Sequence, residues 1–358
     1  MRKSVGVEGE SFGEGDFERL ESYRRKSFLL GSFPLESIGS ETKVNTGFSV
    51  GIAEQYSQTR NIMNVLNIGS TKRVACSTTA SLVVVLRRNI TLTQQQVSHF
   101  NTFGFLIFRQ LFSSDELKTI NPEFEHALTS AYRHAPFDGT YRHRVRTMGP
   151  ETPFFASLLE DLRFCEPTKQ LYGEDALGMV SDVNRYVGNT RWHPDHRVDP
   201  TEDCYGVKFA YYLEPVGAEN GALRLIPGSH KKTLHDDLRK NLDKFGLEIC
   251  DVPAYVCESE PGDVVAFDMR CWHASWGGAI DRRMCTVCYY KNPSGPEEEA
   301  GTRRRAINSA KGPDNSGLPF SIHRDIMSHW VANHEGSEKR QRWIDREREL
   351  GFFDYLEA

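Results

Sequence analysis

The sequence lacks both a long apolar run and an excess of positive charge. Its longest aliphatic stretch covers residues 82–86, far short of the roughly 20 residues that cross a bilayer. Residues 1–8 lack the apolar centre of a secretory signal. The net charge of −5 gives no basic surface of the kind that nucleic-acid binding needs. We therefore expect a cytoplasmic protein that has neither a membrane nor a nucleic acid as a partner.

Disulfide spacing is also lacking, although the chain contains eight cysteines. One pair, Cys285 and Cys288, has the C-x-x-C form that redox and zinc sites use. In a strand, however, residues three apart point to opposite faces. We therefore expect buried, reduced thiols rather than a redox or zinc site.

The chain is long enough for one large β-core with helical additions. It has 358 residues, of which 39% are hydrophobic and 26% charged, as in an ordinary globular protein. Residues 1–88 mix Gly, Ser, Glu and Arg with weak periodicity, which indicates a flexible extension. We expect the folded domain over residues 89–295. The charged residues 296–358, with scattered aromatics, are expected to form helices that pack on this core.

Two capping boxes predict helices at the start of the folded domain. Thr93 with Gln96, and Ser113 with Glu116, have the Ser/Thr-x-x-Glu/Gln form that satisfies the first N–H groups of a helix. The apolar residues Phe105–Phe108 between them are typical of a short buried strand.

The middle of the chain consists of short strands separated by turns. Residues 206–213 and 222–226 are rich in aromatic and aliphatic residues and show no helical periodicity. Asn-Gly at 220–221 and Pro-Gly at 227–228 are turn signals. This arrangement favours an antiparallel sandwich or a jelly roll.

Two histidines and an aspartate form the most informative pattern in the sequence. His193 and Asp195 are two residues apart, so they share a face if the segment is extended. His273 follows residues 261–268, which indicate a turn and a buried strand. Two imidazoles and one carboxylate form the facial triad of a non-haem iron, with positions left for a co-substrate and oxygen. For the His-x-Asp pair alone, the alternative is an exposed loop with an Asp–His hydrogen bond.

An arginine beyond the distal histidine adds a second element to this pattern. Arg282 and Arg283 lie nine and ten residues after His273. A guanidinium offers a rigid fork for a carboxylate ligand. One arginine of the pair is expected to do this, and the other to be a solvated residue at a strand entrance.

Taken together, these motifs resemble the phytanoyl-CoA dioxygenase family of Fe(II)/2-oxoglutarate oxygenases. The resemblance extends over roughly residues 90–295 and rests on four segments: 192–195, 219–230, 261–263 and 273–275. It implies a mainly β protein with flanking helices, built on a cupin-like double-stranded β-helix. It also implies Fe(II) bound by His193, Asp195 and His273, with 2-oxoglutarate and O2 as co-substrates.

The resemblance also suggests which residues bind the co-substrate. The spacing from the distal histidine to the arginine is shorter here than is common in the family. We favour Arg283 because a strand follows it directly, as in the family, while Arg282 stays an alternative. Ser275 is expected to assist the arginine. Further candidates are Asn184, Tyr186 and Arg144 for the co-substrate, and Trp192 and Tyr212 for the substrate.

The expected reaction is hydroxylation of a small organic or lipid-like molecule, with release of succinate and CO2. Asp195 favours hydroxylation, because related halogenases carry a small residue at that position; desaturation and ring closure are alternatives. A metal-dependent hydrolase or isomerase on the same barrel, and an inactive binding module, are the competing functions. The expected carboxylate clamp argues against the first, and the intact triad argues against the second. The sequence predicts neither the substrate nor the oligomeric state.

Overall fold

The computed structural model describes residues 90–310, 318–334 and 337–357. The extension expected over residues 1–88 lies outside these ranges, so its predicted flexibility stays a prediction. Within the described ranges, no helix combines the length and the apolar character of a membrane span.

The domain opens with two helices on either side of a strand. Helix α1 (Gln94–Phe103) and helix α2 (Ser114–Ala131) flank strand β1 (Phe105–Phe108). Both predicted capping boxes are confirmed, because the Thr93 and Ser113 hydroxyls each accept the backbone N–H three residues on, and the Gln or Glu there bonds back.

The described residues form two antiparallel sheets. The six-stranded sheet has the order β1-β8-β5-β10-β3-β2, and the four-stranded sheet has the order β4-β9-β6-β7. This arrangement, with helices around it, confirms the predicted jelly roll. The strands after β1 are β2 (His143–Arg146), β3 (Leu177–Val187), β4 (Thr190–His193), β5 (Gly206–Tyr212), β6 (Leu223–Leu225), β7 (Tyr255–Cys257), β8 (Val264–Asp268), β9 (His273–Ser275) and β10 (Ile280–Tyr290).

Helices cover the outer face of the six-stranded sheet. Phe164 packs edge-on against Phe209 of β5, with ring centroids 5.1 Å apart, and Trp343 packs in the same way against Tyr289 of β10, at 6.2 Å. The Trp343 indole also donates to the Ala176 carbonyl at 2.9 Å. The helices after α2 are α3 (Pro153–Leu158), α4 (Leu162–Tyr172), α5 (Lys232–Asn241), α6 (Pro296–Ala310), α7 (Phe320–Ala332), α8 (Glu338–Glu349) and α9 (Asp354–Glu357).

Strand alternation separates the core from a cavity between the two sheets. Along β10, Met284, Thr286 and Cys288 line the cavity, because every second side chain of a strand points to the same face. Cys285 is buried and does not line it. Both thiols of the C-x-x-C pair are buried and free, as the sequence predicted.

Candidate active site

A cavity of about 220 Å³ lies between the sheets and contains the predicted metal ligands. Strands β4 and β9 are antiparallel neighbours, which places His193 directly opposite His273. Their ring centroids are 4.3 Å apart. Asp195 follows β4 and is held by its backbone N–H, which donates to the Met269 carbonyl at 2.9 Å.

The ligand atoms of the three residues converge on one point. One atom from each of His193, Asp195 and His273 lies within 4.8 Å of the others. Nε2 of His273 is 3.7 Å from a carboxylate oxygen of Asp195. The structure thus brings together the two imidazoles and the carboxylate that the sequence singled out, although they come from segments about 80 residues apart.

Backbone carbonyls orient both imidazoles for metal binding. Nδ1 of His193 lies 2.8 Å from the Arg191 carbonyl oxygen, and Nδ1 of His273 lies 3.0 Å from that of Cys271. A carbonyl only accepts, so each Nδ1 carries the proton and each Nε2 keeps a free lone pair. Burial lowers the pKa of His273 to about 3, which keeps that ring neutral. These donors fit a divalent iron, which prefers two imidazoles and one carboxylate with open positions.

Asp195 is held in its anionic form. Burial alone would raise its pKa, but the positive charge of the nearby Lys208 holds it well below the ordinary value. Nζ of Lys208 donates to the Asp195 carboxylate at 2.6 Å. A carboxylate must be deprotonated to bind a metal, so this environment suits the role of a ligand.

The structure reverses the order of preference between the two arginines. Arg282 is buried, lines the cavity and donates to the Ser275 hydroxyl at 2.9 Å. Arg283 points away from the cavity, where its Nε donates to Glu214 at 3.1 Å and another nitrogen donates to Asn121 at 3.0 Å. The preference for Arg283 was therefore wrong, because its side chain does not reach the cavity. Arg282, the alternative, lies at the site.

A bulge at the start of β10 explains the error. Asp281 has a positive φ of 71°, and the pairing with β3 shifts between Ile280 and Arg282. From Arg282 onward the strand alternates regularly, so Arg282 shares the inner face with Met284. Counting residues from His273 cannot locate such a bulge, because the count does not show which residue is left out of the pairing.

Two glycines leave room for the Arg282 guanidinium. A Cβ at Gly221 would lie 2.0 Å from Nη1 of Arg282, and a Cβ at Gly278 would lie 1.9 Å from it. Gly221 also has a φ of +97°, which disfavours other residues. The Asn-Gly turn at 220–221 thus has a second role, since it gives the arginine its space.

The other predicted co-substrate residues line the same cavity. Asn184 and Tyr186 lie on its wall, and the Tyr186 ring is 5.1 Å from the Arg282 guanidinium. Tyr212, which was predicted to contact the substrate, lines the cavity as well. Arg144 also lines it, but forms an ion pair with Asp182 at 2.6 Å.

Trp192 does not line the cavity, contrary to the prediction that it contacts substrate. It packs instead against the apolar cluster that contains Ile226 and Trp272. It directly precedes His193 on β4, so its side chain points to the opposite face.

Sequence reasoning missed several charged residues of the cavity wall. They include Asp182 on β3, Lys208 on β5 and Arg305 on helix α6. Alternation could have identified Lys208, which shares a face with Tyr212 four residues on. Arg305 belongs to a separate helix, and no local pattern relates it to the site.

A second cluster, formed by His196, Asp203 and Cys204, lies outside the cavity wall. Nδ1 of His196 is 2.8 Å from the Cys204 carbonyl oxygen, so this nitrogen carries a proton and cannot bind a metal. Arg305 lies 3.7 Å from Asp203. Its positive charge disfavours a cation there.

Comparison with known proteins assigns the chain to a family. The model of the family "Phytanoyl-CoA dioxygenase (PhyH)" matches residues 100–284, more than half of the chain. The ectoine dioxygenase of Bordetella bronchiseptica is 24% identical over 215 residues, which cover 51% of this chain and 70% of that protein. The ectoine dioxygenase of Stutzerimonas stutzeri is 26% identical over 238 residues, which cover 57% of this chain and 78% of that protein. The structure of EctD from S. alaskensis with 2-oxoglutarate and 5-hydroxyectoine gives a TM-score of 0.44 and 19% identity. The match covers 56% of this chain and 77% of that one.

The jelly roll and the family match define an Fe(II)/2-oxoglutarate-dependent dioxygenase. The chain belongs to the phytanoyl-CoA dioxygenase family. Its cofactor is Fe(II), and its co-substrates are 2-oxoglutarate and O2.

Proposed function

We propose that this enzyme hydroxylates a small organic molecule while 2-oxoglutarate is converted to succinate and CO2. In this reaction one oxygen atom of O2 enters the product and the other enters succinate. The bound Fe(II) supplies the activation of O2, which no side chain can provide. The observation that carries the proposal is the convergence of His193, Asp195 and His273 within 4.8 Å.

The three ligands have distinct tasks in this proposal. His193 and His273 present Nε2, because backbone carbonyls hold their Nδ1 protons. Asp195 contributes a negative charge, because its surroundings keep the carboxyl group deprotonated. Its presence favours hydroxylation over halogenation, since a carboxylate occupies the position that a halide would need.

Arg282 and Ser275 are proposed to bind the far carboxylate of 2-oxoglutarate. The guanidinium already donates to the Ser275 hydroxyl at 2.9 Å, so both groups face the same space. Arg282 is 5% exposed, and burial strengthens a charge-assisted hydrogen bond. Asn184, Tyr186 and Tyr212 complete this end of the cavity.

Turnover in the presence of ¹⁸O2 tests the proposal. We would supply Fe(II), 2-oxoglutarate and a panel of small molecules, with ectoine first because relatives are ectoine dioxygenases. Mass spectrometry should show a product with one ¹⁸O atom, and succinate formed in equal amount.

A pair of aspartate variants provides the control for this experiment. Asp195→Ala should abolish both products, whereas Asp237→Ala, which changes an exposed aspartate on helix α5, should retain them. Full 2-oxoglutarate-dependent turnover in Asp195→Ala would refute the role of Asp195 as a ligand.

A further inference from the structure

The two ends of the cavity carry different cationic groups. The β10 side chains that line it run from Arg282 to Tyr290, a span of roughly 27 Å at about 3.4 Å per residue. Arg282 lies at one end, with Ser275. Lys208 pairs in register with Cys288, near the other end. A five-carbon diacid that reaches from Arg282 to a metal held by Asp195 leaves the space beyond Asp195, beside Lys208, for another molecule.

The cavity wall has an excess of positive charge. Five cationic side chains line it against two carboxylates, a surplus of three that the ion pair of Arg305 with Asp203, outside the wall, reduces to two. Fe(II) and the 2-oxoglutarate dianion cancel each other, so loading the site does not remove this surplus. Uncompensated charge in a partly desolvated cavity is unfavourable, so an anionic ligand is favoured there. The cations are Arg142, Arg144, Lys208, Arg282 and Arg305, and the carboxylates are Asp182 and Asp195.

Two of the cations already interact with other side chains of the cavity wall. Arg144 forms an ion pair with Asp182 at 2.6 Å. Arg142 donates to the Asn184 carbonyl oxygen at 3.1 Å and lies over the Tyr186 ring at 4.3 Å. Asn184 and Tyr186 pair with Met284 and Arg282 of β10, at the end of the cavity that contains Arg282.

Lys208 and Arg305 are less well compensated. Lys208 has the Asp195 carboxylate as its partner, at 2.6 Å. A metal bound by this carboxylate would draw on the same negative charge, which would then compensate Lys208 less. Nε of Arg305 is buried and has no hydrogen-bond partner among the described residues. Asp203, at 3.7 Å from Arg305, is beyond hydrogen-bond distance.

Both cations meet at Asp195. Lys208 donates to its carboxylate, and Arg305 donates to its backbone carbonyl at 3.3 Å. An anion held between these two side chains would therefore lie beside the metal ligands, where a substrate must be placed for its C–H bond to react.

We propose that the substrate is a small carboxylic acid and that Lys208 and Arg305 bind its carboxylate. This inference rests on the proposed function, because it takes Arg282 as the clamp for 2-oxoglutarate. It narrows the substrate class to compact acids, since the cavity of about 220 Å³ is small and its Lys208 end carries two cations. A long neutral or lipid-like substrate would offer neither cation a carboxylate.

Matched acids and amides test this proposal by binding alone. We would titrate hexanoate against hexanamide, and 3-phenylpropionate against its amide, into anaerobic enzyme loaded with Fe(II) and 2-oxoglutarate. Calorimetry should show that at least one acid binds about tenfold to a hundredfold more tightly than its amide, as expected for a charge-assisted hydrogen bond. An absence of acid preference in both pairs would overturn the proposal.

Variants assign the preference to the two side chains. Lys208→Met and Arg305→Met should each reduce the acid preference to about threefold or less, and Lys208→Arg should keep part of it. Arg304→Met, which changes the exposed neighbour of Arg305 on helix α6, should leave it unchanged. Retention of the full preference in both methionine variants would overturn the assignment.

The affinity for 2-oxoglutarate separates this proposal from the proposed function. Arg305→Met, which removes a contact to the Asp195 backbone carbonyl and leaves the Lys208–Asp195 pair in place, should bind 2-oxoglutarate as the wild type does. Loss of 2-oxoglutarate binding in this variant would show that Arg305 serves the co-substrate. The same acid–amide pairs are also titrated into metal-free protein. If wild-type protein binds no 2-oxoglutarate but prefers acids through Lys208, the proposed function fails and the anion site stands.

Discussion

Replacing Arg282 or Arg283 by methionine gives the sharpest test of the co-substrate site. Methionine keeps most of the side-chain volume and removes the charge. Arg282 is 5% exposed and faces Ser275, whereas the Arg283 side chain is 24% exposed and pairs with Glu214. Arg282→Met should therefore weaken 2-oxoglutarate binding, and Arg283→Met should leave it near the wild-type value.

The expected size of the effect follows from the burial of Arg282. Truncating one partner of a buried, hydrogen-bonded charge pair costs about 2–5 kcal/mol, which corresponds to roughly a 30-fold to several-thousand-fold weaker Kd. The half-buried pair of Arg283 with Glu214 lies away from the cavity and contributes nothing to the affinity for this ligand. The two variants should therefore differ by at least one order of magnitude.

Anaerobic titration of the Fe(II)-loaded protein measures this difference. The charge-transfer absorption of the iron–2-oxoglutarate complex reports occupancy, and circular dichroism checks that both variants are folded. A weakened complex in Arg283→Met together with an intact one in Arg282→Met would refute the assignment made from the bulge.

Three further substitutions test packing and charge elsewhere in the molecule. Gly278→Ala, whose Cβ would lie 1.9 Å from the Arg282 guanidinium, should weaken 2-oxoglutarate binding about 5- to 150-fold through overpacking; an unchanged Kd would contradict the tight fit. Arg163→Met, which removes the 2.8 Å ion pair between this guanidinium and the buried Asp161 carboxylate, should lower the free energy of unfolding in urea by about 3–5 kcal/mol, and a loss below about 1 kcal/mol would contradict this. Burial raises the pKa of Glu347 well above its ordinary value, so the wild type should lose stability as pH rises above the unfolded-state pKa. Glu347→Gln should remove this loss, with a higher Tm at pH 8 and an equal Tm at pH 4; equal Tm values at both would refute it.

Local patterns predicted the parts of the structure that depend on local chemistry. The capping boxes at Thr93 and Ser113 specify helix starts, because the bonds involved join residues three apart. His193 and Asp195 follow the two-residue period of an extended segment. Their convergence with His273 needed the order of motifs in the family, since the antiparallel pairing of β4 with β9 is not a local property.

The errors have physical causes of two kinds. The bulge at Asp281 changes which arginine points inward, and a bulge is set by the backbone rather than by a residue pattern. Arg305 reaches the cavity from helix α6, whose position depends on tertiary packing. The error at Trp192 was avoidable. Its side chain must point away from the cavity because it is adjacent to His193 on the same strand.

Iron binding by the wild type and by Asp195→Ala tests the central claim most directly. Each protein is titrated anaerobically with Fe(II), first alone and then with 2-oxoglutarate. The wild type should bind a single iron per chain and develop the charge-transfer absorption when 2-oxoglutarate is added, and Asp195→Ala should lose the iron or bind it far more weakly. Equal iron affinity and an equal absorption band in the two proteins would contradict the claim that His193, Asp195 and His273 form the metal site.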